Sequence, residues 1–147
     1  MTLHISGPPR RRGIGKLDKR LLRSRAIRLL REIDQTGSEL SLSFVADCEI
    51  AGLNRRYRKK TGATDVLAFS LLEGEGASYR GEMLGDVVIG IETAERQARR
   101  GRRSLDDEVA RLLIHGALHL IGYDHLRDDD ARAMRAEERR IWRLLRG

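Results

Sequence analysis

The sequence has one cysteine, few aromatic residues and no long apolar run, and each shortage excludes a class of protein. Cys48 has no partner for an internal disulfide, so a reducing compartment and a buried, inert thiol are expected. The apolar runs are too short to cross a bilayer, and the N-terminus lacks a signal-peptide pattern. Aromatic residues make up only 4% of the chain, which favours contacts to phosphate groups over a base-stacking platform. We therefore expect a cytoplasmic protein with no membrane partner.

The length of 147 residues fits one compact domain. Hydrophobic residues make up 40% of the chain, which is enough to build a core. No internal repeat or long linker divides the chain, so a single domain over residues 1–147 is predicted. The segment Pro8-Pro9-Arg10-Arg11-Arg12-Gly13 has too little apolar content to belong to the core. We interpret residues from about 7 to 16 as a flexible basic segment, which is either a solvated loop or an arm that touches RNA.

Positive charge is concentrated in the N-terminal part of the chain. Residues 1–60 carry 15 lysines and arginines against 6 acidic residues, a net charge of +9, whereas residues 61–147 carry 14 against 16. Such an asymmetry attracts polyanions, so RNA or the ribosome is a more natural partner than an acidic metabolite. The alternative is a merely soluble, arginine-rich surface, and charge alone does not name the substrate.

Apolar spacing predicts an α+β fold, close to a three-layer α/β arrangement. Helical periodicity covers Leu22–Ile33, Glu92–Arg100, Val109–Ile121 and a segment from about Asp128, and a short helix through Leu53 and Tyr57 is also expected. Strand patterns cover Leu40–Val45, Val66–Leu72 and Val87–Ile91, and residues 73–82 are expected to form a loop. These patterns predict a small mixed sheet of about four strands packed with about five helices.

The strongest chemical signal is the string HGALHLIGYDH, residues 115–125, which holds three of the four histidines. His115 and His119 are four residues apart, so on a helix they project from one face, close enough to share a metal ion. Gly122 falls where a helix would end in a left-handed residue, and a reversal there can bring His125 back towards the other two. Three imidazoles suit one Zn²⁺ ion and leave a fourth position for water, as in catalytic zinc sites. The helix is so apolar that its histidines are expected to be buried.

Two alternatives compete with this metal site. The histidines could simply bond to backbone groups, but three at this spacing favour a metal, with zinc preferred although ligand type does not fix the metal. Metzincin proteases share the spacing, yet they need a glutamate beside the first histidine as the base, and here that position is Gly116. A glycine inside a helix costs about 1 kcal/mol, which indicates a close approach at Gly116, for example beside the metal.

The histidine string resembles the signature of the YbeY family of rRNA maturation factors. Other segments agree: Leu53-Asn54 with Tyr57-Arg58 resembles the family's LNxxYR element, Thr64–Phe69 its TDVLSF strand, Leu84–Val87 its LGD strand, and Met134, Glu138 and Ile141 its C-terminal helix. The resemblance runs from about residue 40 to residue 141. Ala68 and Ser70 depart from the family's usual serine and proline, and the first forty residues are similar only loosely.

The resemblance implies a zinc-dependent endoribonuclease that cleaves single-stranded RNA, in maturation of the 3′ end of small-subunit rRNA and in ribosome quality control. Small-subunit rRNA and the ribosome or its assembly proteins are the implied partners. By position, His115, His119 and His125 become ligands of one Zn²⁺ ion, and Arg58 becomes the essential basic residue of the cleft. A guanidinium can bind a phosphate with two hydrogen bonds and stabilise a pentacoordinate transition state. The alternative for Arg58 is a surface arginine within a basic run.

Three acidic residues are further candidates. Asp65 and Asp86 sit where turns meet strands, and each could be a cap, a partner for a ligating imidazole, or a base. Glu108 lies seven residues before His115 on the same helical face and could orient that imidazole. A different function remains open, namely an RNA-binding factor in ribosome biogenesis whose metal is chiefly structural.

Overall fold

The computed structural model describes residues 2–7, 16–70, 83–123 and 127–146, and the predicted loop at 73–82 and the segment at 8–15 lie outside these ranges. The elements are β1 (Thr2–Ser6), α1 (Lys19–Glu32), β2 (Glu39–Val45), α2 (Asp47–Arg58), β3 (Val66–Ser70), β4 (Met83–Gly90), α3 (Ile91–Arg100), α4 (Leu105–Leu120) and α5 (Asp128–Arg146). The predicted α+β class, with four strands and five helices in the described ranges, is confirmed.

The four described strands form one mixed sheet in the order β1-β2-β4-β3. β1 and β4 run parallel to β2, and β3 runs antiparallel to β4 and forms one edge. The sequence patterns predict β2, β3 and the core of β4, but they do not reveal β1, and they begin β4 four residues late. Ile91, predicted as the end of that strand, is the first residue of α3.

The two faces of the sheet differ in their cover. Alternate residues of β2, such as Leu40 and Leu42, point into the main core beneath α1, α4 and α5, as do Val87 and Ile89 of β4. The opposite face carries a smaller cluster, in which Ile50 of α2 packs on Leu67 of β3 and Val88 of β4; its other members are Val45, Leu53 and Phe69. The sheet therefore separates α2 from α4.

Polar contacts from α3 hold the beginning of α2. The backbone N–H of Asp47 donates to Glu92 Oε1 at 2.8 Å. The Asp47 carboxylate in turn accepts from Thr93 Oγ1 at 2.9 Å and from Arg96 Nη2 at 2.8 Å. Cys48, one residue further on, is exposed, so the expectation of a buried thiol is wrong. Only one side of α2, the side that carries Ile50, packs on the sheet. Cys48 lies on the other side of the helix and faces solvent.

The helix α4 is capped at its N-terminus by the side chain of Ser104, whose Oγ accepts the backbone N–H of Asp107 at 3.1 Å. Most of its residues are buried, and it lies directly on the sheet. A Cβ built on Gly116 would lie 2.9 Å from Cγ1 of Val87 and 3.4 Å from Cγ2 of Val66. The glycine therefore permits the helix to pack closely on the sheet. The sequence-based explanation, a close approach to a metal ion, was different. Within the described ranges, no helix is both long and apolar enough to span a membrane.

Candidate metal centre

His115 and His119 lie together on the C-terminal half of α4, as their spacing predicts. Their Nε2 atoms are 3.2 Å apart, and the two rings meet at 78° with centroids 4.7 Å apart. Both residues are half-buried, and the side chain of His115 is 32% exposed, so the expectation of buried histidines is wrong. Apolar composition indicates that α4 is covered on most sides, but one face remains open, and that face holds the two histidines.

This geometry fits a shared metal ion. Two Zn–N bonds of about 2.0–2.1 Å at a tetrahedral angle place the two nitrogens about 3.3–3.4 Å apart, close to the observed 3.2 Å. Two neutral imidazoles at this distance could instead share one proton in a hydrogen bond. A cation between them satisfies both lone pairs at once, and the open face of the helix gives it access.

Glu138 of α5 orients the first imidazole. Its Oε2 lies 3.2 Å from Nδ1 of His115, and the two side chains are 28% and 32% exposed. When Nδ1–H donates to this carboxylate, the Nε2 lone pair of His115 points to the shared position, as ligation requires. In the sequence, Glu138 is recognisable only as part of the family's C-terminal helix, because no local pattern shows that α5 packs on α4 next to His115.

The end of α4 reverses the chain as predicted. Gly122 has a φ of +104°, its N–H donates to the carbonyl of His119 at 3.1 Å, and Tyr123 N–H donates to the carbonyl of Leu118 at 3.0 Å. These two bonds form a Schellman motif, which turns the chain away from the helix axis. His125 lies outside the described residues, and within the described part of the chain no three histidine, cysteine or acidic side chains are arranged so that they could hold a metal ion. The assignment of His125 as a ligand stays a prediction.

Arg58 is the last residue of α2 and is exposed. Its Nη2 donates to the backbone carbonyl of Ala68 at 2.6 Å, and its guanidinium lies 5.7 Å from the centroid of the Phe69 ring. Both contacts are made with the edge strand β3. The opposite side of β3 packs on α4, where Ser70 Oγ donates to the carbonyl of Leu120 at 3.4 Å. The arginine and the histidine-bearing helix thus flank the same strand.

Asp65 and Asp86 are the other catalytic candidates. Asp65 Oδ2 accepts from Gln97 of α3 at 3.2 Å. Asp86 is half-buried on β4, and it alternates with Val87 so that it points to the face opposite α4.

Glu108 is nearly fully buried, but its carboxylate pairs with Arg103 at 3.2 Å and with Arg111 at 3.9 Å. The carboxylate that contacts His115 belongs to Glu138, so the suggestion that Glu108 orients this imidazole is not supported by the contacts.

Comparison with known proteins identifies similar sequences of one family. The family model described as endoribonuclease YbeY matches residues 15–146. The endoribonuclease YbeY of Syntrophus aciditrophicus is 42% identical over 134 residues, which cover 90% of this chain and 84% of that protein. The endoribonuclease YbeY of Geobacter metallireducens is 40% identical over 147 residues, which cover 99% of this chain and 96% of that protein.

A solved structure shares the fold. The solution structure of TM1509 from Thermotoga maritima has a TM-score of 0.65 and 24% sequence identity, and the match covers 98% of this chain and 89% of that chain. The family match over residues 15–146 and the relatives at 40% identity or more lead to the same assignment: the chain belongs to the YbeY family.

Proposed function

We propose that this chain is a zinc-dependent endoribonuclease that cleaves single-stranded RNA. The observation that carries the proposal is the pair of imidazole nitrogens 3.2 Å apart, with Glu138 on the far nitrogen of His115. The relatives named endoribonuclease YbeY support the activity. Small-subunit rRNA, during maturation of its 3′ end and quality control of the ribosome, is the proposed substrate in the cytoplasm.

In this proposal His115, His119 and His125 hold one zinc ion. A zinc ion bound there would act as a Lewis acid and would lower the pKa of a bound water molecule. Glu138 keeps Nδ1 of His115 protonated and so holds the imidazole in one tautomer and one orientation. The open face of α4 lets an RNA phosphate approach the pair.

Arg58 is proposed to bind the phosphate. A guanidinium has five N–H donors, and the bond to the Ala68 carbonyl uses one of them, so the others can bind two phosphate oxygens. Charge accumulates on these oxygens as the phosphorus becomes pentacoordinate, and a fixed cation stabilises that charge. The attachment to β3 fixes the position of the guanidinium, which reduces the entropy lost on binding.

The fold favours a catalytic over a structural metal. The faces of α4 away from the histidines pack on the sheet and on α5 through fully buried residues, including Leu113, Ala117 and Leu118. This packing does not involve the imidazoles, so it should hold α4 in place without a bound metal. Removal of the metal is therefore expected to abolish cleavage and leave the circular dichroism spectrum unchanged.

The test combines metal analysis with cleavage of end-labelled single-stranded and duplex RNA. About one zinc per chain is expected in the purified protein, and His119→Ala should lose both zinc and cleavage. Arg58→Ala should keep its zinc and lose about 100-fold in cleavage rate, and Arg58→Lys should recover little because lysine lacks the two-pronged geometry. Arg100→Ala, an exposed arginine on α3, is the matched control and should behave as the wild type.

Two results would contradict the proposal. Unfolding on removal of the metal would favour the RNA-binding factor with a structural metal. Loss of zinc from Arg58→Ala would show that this arginine supports the fold rather than the reaction.

A further inference from the structure

Tyr57 is unusual because it exposes a large aromatic ring. It is 56% exposed, whereas the other large hydrophobic residues of the described ranges are buried or half-buried. It occupies the last turn of α2, among the six residues 55–60 that begin an exposed run reaching to residue 63. Five of these are cations, and we call them the α2 basic cluster: Arg55, Arg56, Arg58, Lys59 and Lys60. The exposed ring therefore lies within a basic stretch of the chain.

The ring is held in place by its neighbours. It packs nearly perpendicular to Phe69 of the edge strand β3, with centroids 5.4 Å apart and an angle of 71°. The guanidinium of Arg56 lies 5.4 Å from the ring centroid. Phe69 itself belongs to the small core beneath α2, so the support of the ring is part of the packed fold. An exposed ring fixed in this way loses little entropy when a flat ligand stacks on it.

The backbone beyond the ring is fixed as well. Lys59 adopts a left-handed conformation with φ of +55°, and Lys60 N–H donates to the carbonyl of Asn54 at 3.3 Å. The buried side chain of Asn54 donates to the carbonyl of Gly62 at 3.1 Å. No member of the α2 basic cluster forms an ion pair with an acidic residue of the described chain. These charges are therefore available to an external polyanion.

We propose that Tyr57 is a stacking platform for one unpaired base of the RNA substrate, with the α2 basic cluster binding the phosphates on either side. This inference rests on the proposed ribonuclease function and adds a residue that selects the substrate. Aromatic rings bind single-stranded nucleic acid by stacking on bases, and cations around them bind the backbone. Tyr57 directly precedes Arg58, so a strand that stacks on the ring brings its phosphates to the residue proposed to bind the scissile group.

The platform gives a physical reason for selecting single strands. In a duplex the bases are paired and stacked on each other, so they cannot stack on a protein ring without being extruded. The low aromatic content led to the expectation of contacts to phosphates alone. The sequence itself places Tyr57 inside the basic run at 55–60, and the structure exposes its ring, so we add base stacking to the phosphate contacts.

The test measures equilibrium binding of a fluorescent 12-nucleotide single-stranded RNA and of an oligomer with the same phosphates but abasic sugars. The full-length His119→Ala chain is used so that the RNA is not cleaved, and circular dichroism checks the fold of each variant. In this background Tyr57→Ala should lower the affinity for RNA by about tenfold or more and leave the affinity for the abasic oligomer unchanged. Tyr57→Phe and Tyr57→Trp should bind RNA as well as tyrosine does.

Matched variants separate stacking from apolar contact and from charge. Tyr57→Leu keeps an apolar side chain without a flat ring, and it should lose affinity as Tyr57→Ala does. Arg55→Ala should weaken binding of both oligomers alike and reduce the slope of log affinity against log salt by about 0.7, the value for one phosphate contact on a single strand.

Equal losses for both oligomers in Tyr57→Ala, or wild-type affinity in Tyr57→Leu, would overturn the stacking inference. If the parent chain still binds and cleaves RNA in that case, the proposed function stands and only the platform is refuted. If the wild-type chain neither binds nor cleaves RNA, the proposed function fails and the platform fails with it.

Discussion

Substitution of Gly116 by alanine tests how closely α4 is seated on the sheet. A new Cβ would lie 2.9 Å from Cγ1 and 3.2 Å from Cγ2 of Val87, both closer than ordinary van der Waals contact. Val87 is fully buried and branched at Cβ, so rotation about χ1 exchanges one clashing methyl for the other. The helix or the strand must therefore move.

Two opposing effects set the magnitude. Alanine is favoured over glycine in a helix interior by about 1 kcal/mol. Overpacking of a well-packed core costs about 1–3 kcal/mol. The clash outweighs the gain, and we expect Gly116→Ala to lower the free energy of unfolding by about 1 kcal/mol, which corresponds to about 2–4 °C in Tm for a chain of this size. Urea denaturation followed by circular dichroism measures this change.

Gly52 provides the matched control. It also lies in a helix interior, but a Cβ added there meets no atom within 4 Å. Gly52→Ala should therefore stabilise the chain by about 0.5–1 kcal/mol. In the double variant Gly116→Ala, Val87→Ala, the smaller side chain at 87 should accept the new methyl, so the two changes together should cost less than the sum of their separate costs. A Gly116→Ala chain that gains stability as Gly52→Ala does would refute the packing argument.

Three further predictions concern separate parts of the molecule. Glu138→Gln should weaken zinc binding by about 10–100-fold, measured by competition with a chelator, because a neutral amide accepts the Nδ1–H bond more weakly than a carboxylate and makes His115 a less basic ligand; unchanged affinity would remove Glu138 from the site. Burial raises the pKa of Asp47, but hydrogen bonds from Arg96 and Thr93 outweigh it and hold this pKa below its usual value. The resulting stability is fully present above the usual carboxyl pKa and is lost as pH falls through the lowered pKa. The destabilisation caused by Asp47→Asn should therefore be full at pH 7 and shrink as pH falls below about 4, and a difference that does not change with pH would contradict this. Cys48 should react with a maleimide in the folded protein as fast as in urea, and strong protection would show that it is covered.

The histidine pair could be predicted because its geometry is local. Four residues along a helix fix the relative position of two side chains, and the Schellman turn at Gly122 follows from the glycine. The contact between His115 and Glu138 spans 23 residues and depends on how α5 packs on α4, which no local pattern encodes. The open face of α4 could not be predicted for the same reason. The composition of a helix indicates how apolar it is, but it does not indicate which of its faces the neighbouring elements leave uncovered.

The edge elements were the least predictable part of the fold. β1 offers only Leu3 and Ile5 as an alternating pair, and its partner β2 begins more than thirty residues later. The environment of Tyr57 was missed because an average over the chain hides one aromatic residue in a basic run. Its exposure is a result of tertiary structure, since Phe69 supports the ring from another strand.

The order of strands in the sheet has a consequence for synthesis on the ribosome. β2 lies between β1 and β4, and β4 also carries the antiparallel pairing to β3, so the sheet is incomplete until residues 83–90 have left the exit tunnel. Strands this far apart along the chain pair slowly, because the entropy cost of closing a long loop comes before the stabilising contacts form. The nascent chain then exposes the apolar face of β2 for as long as translation of the middle segment lasts, which makes it a client for chaperones. His115 can be oriented only after Glu138, 23 residues further along the chain, has been synthesised.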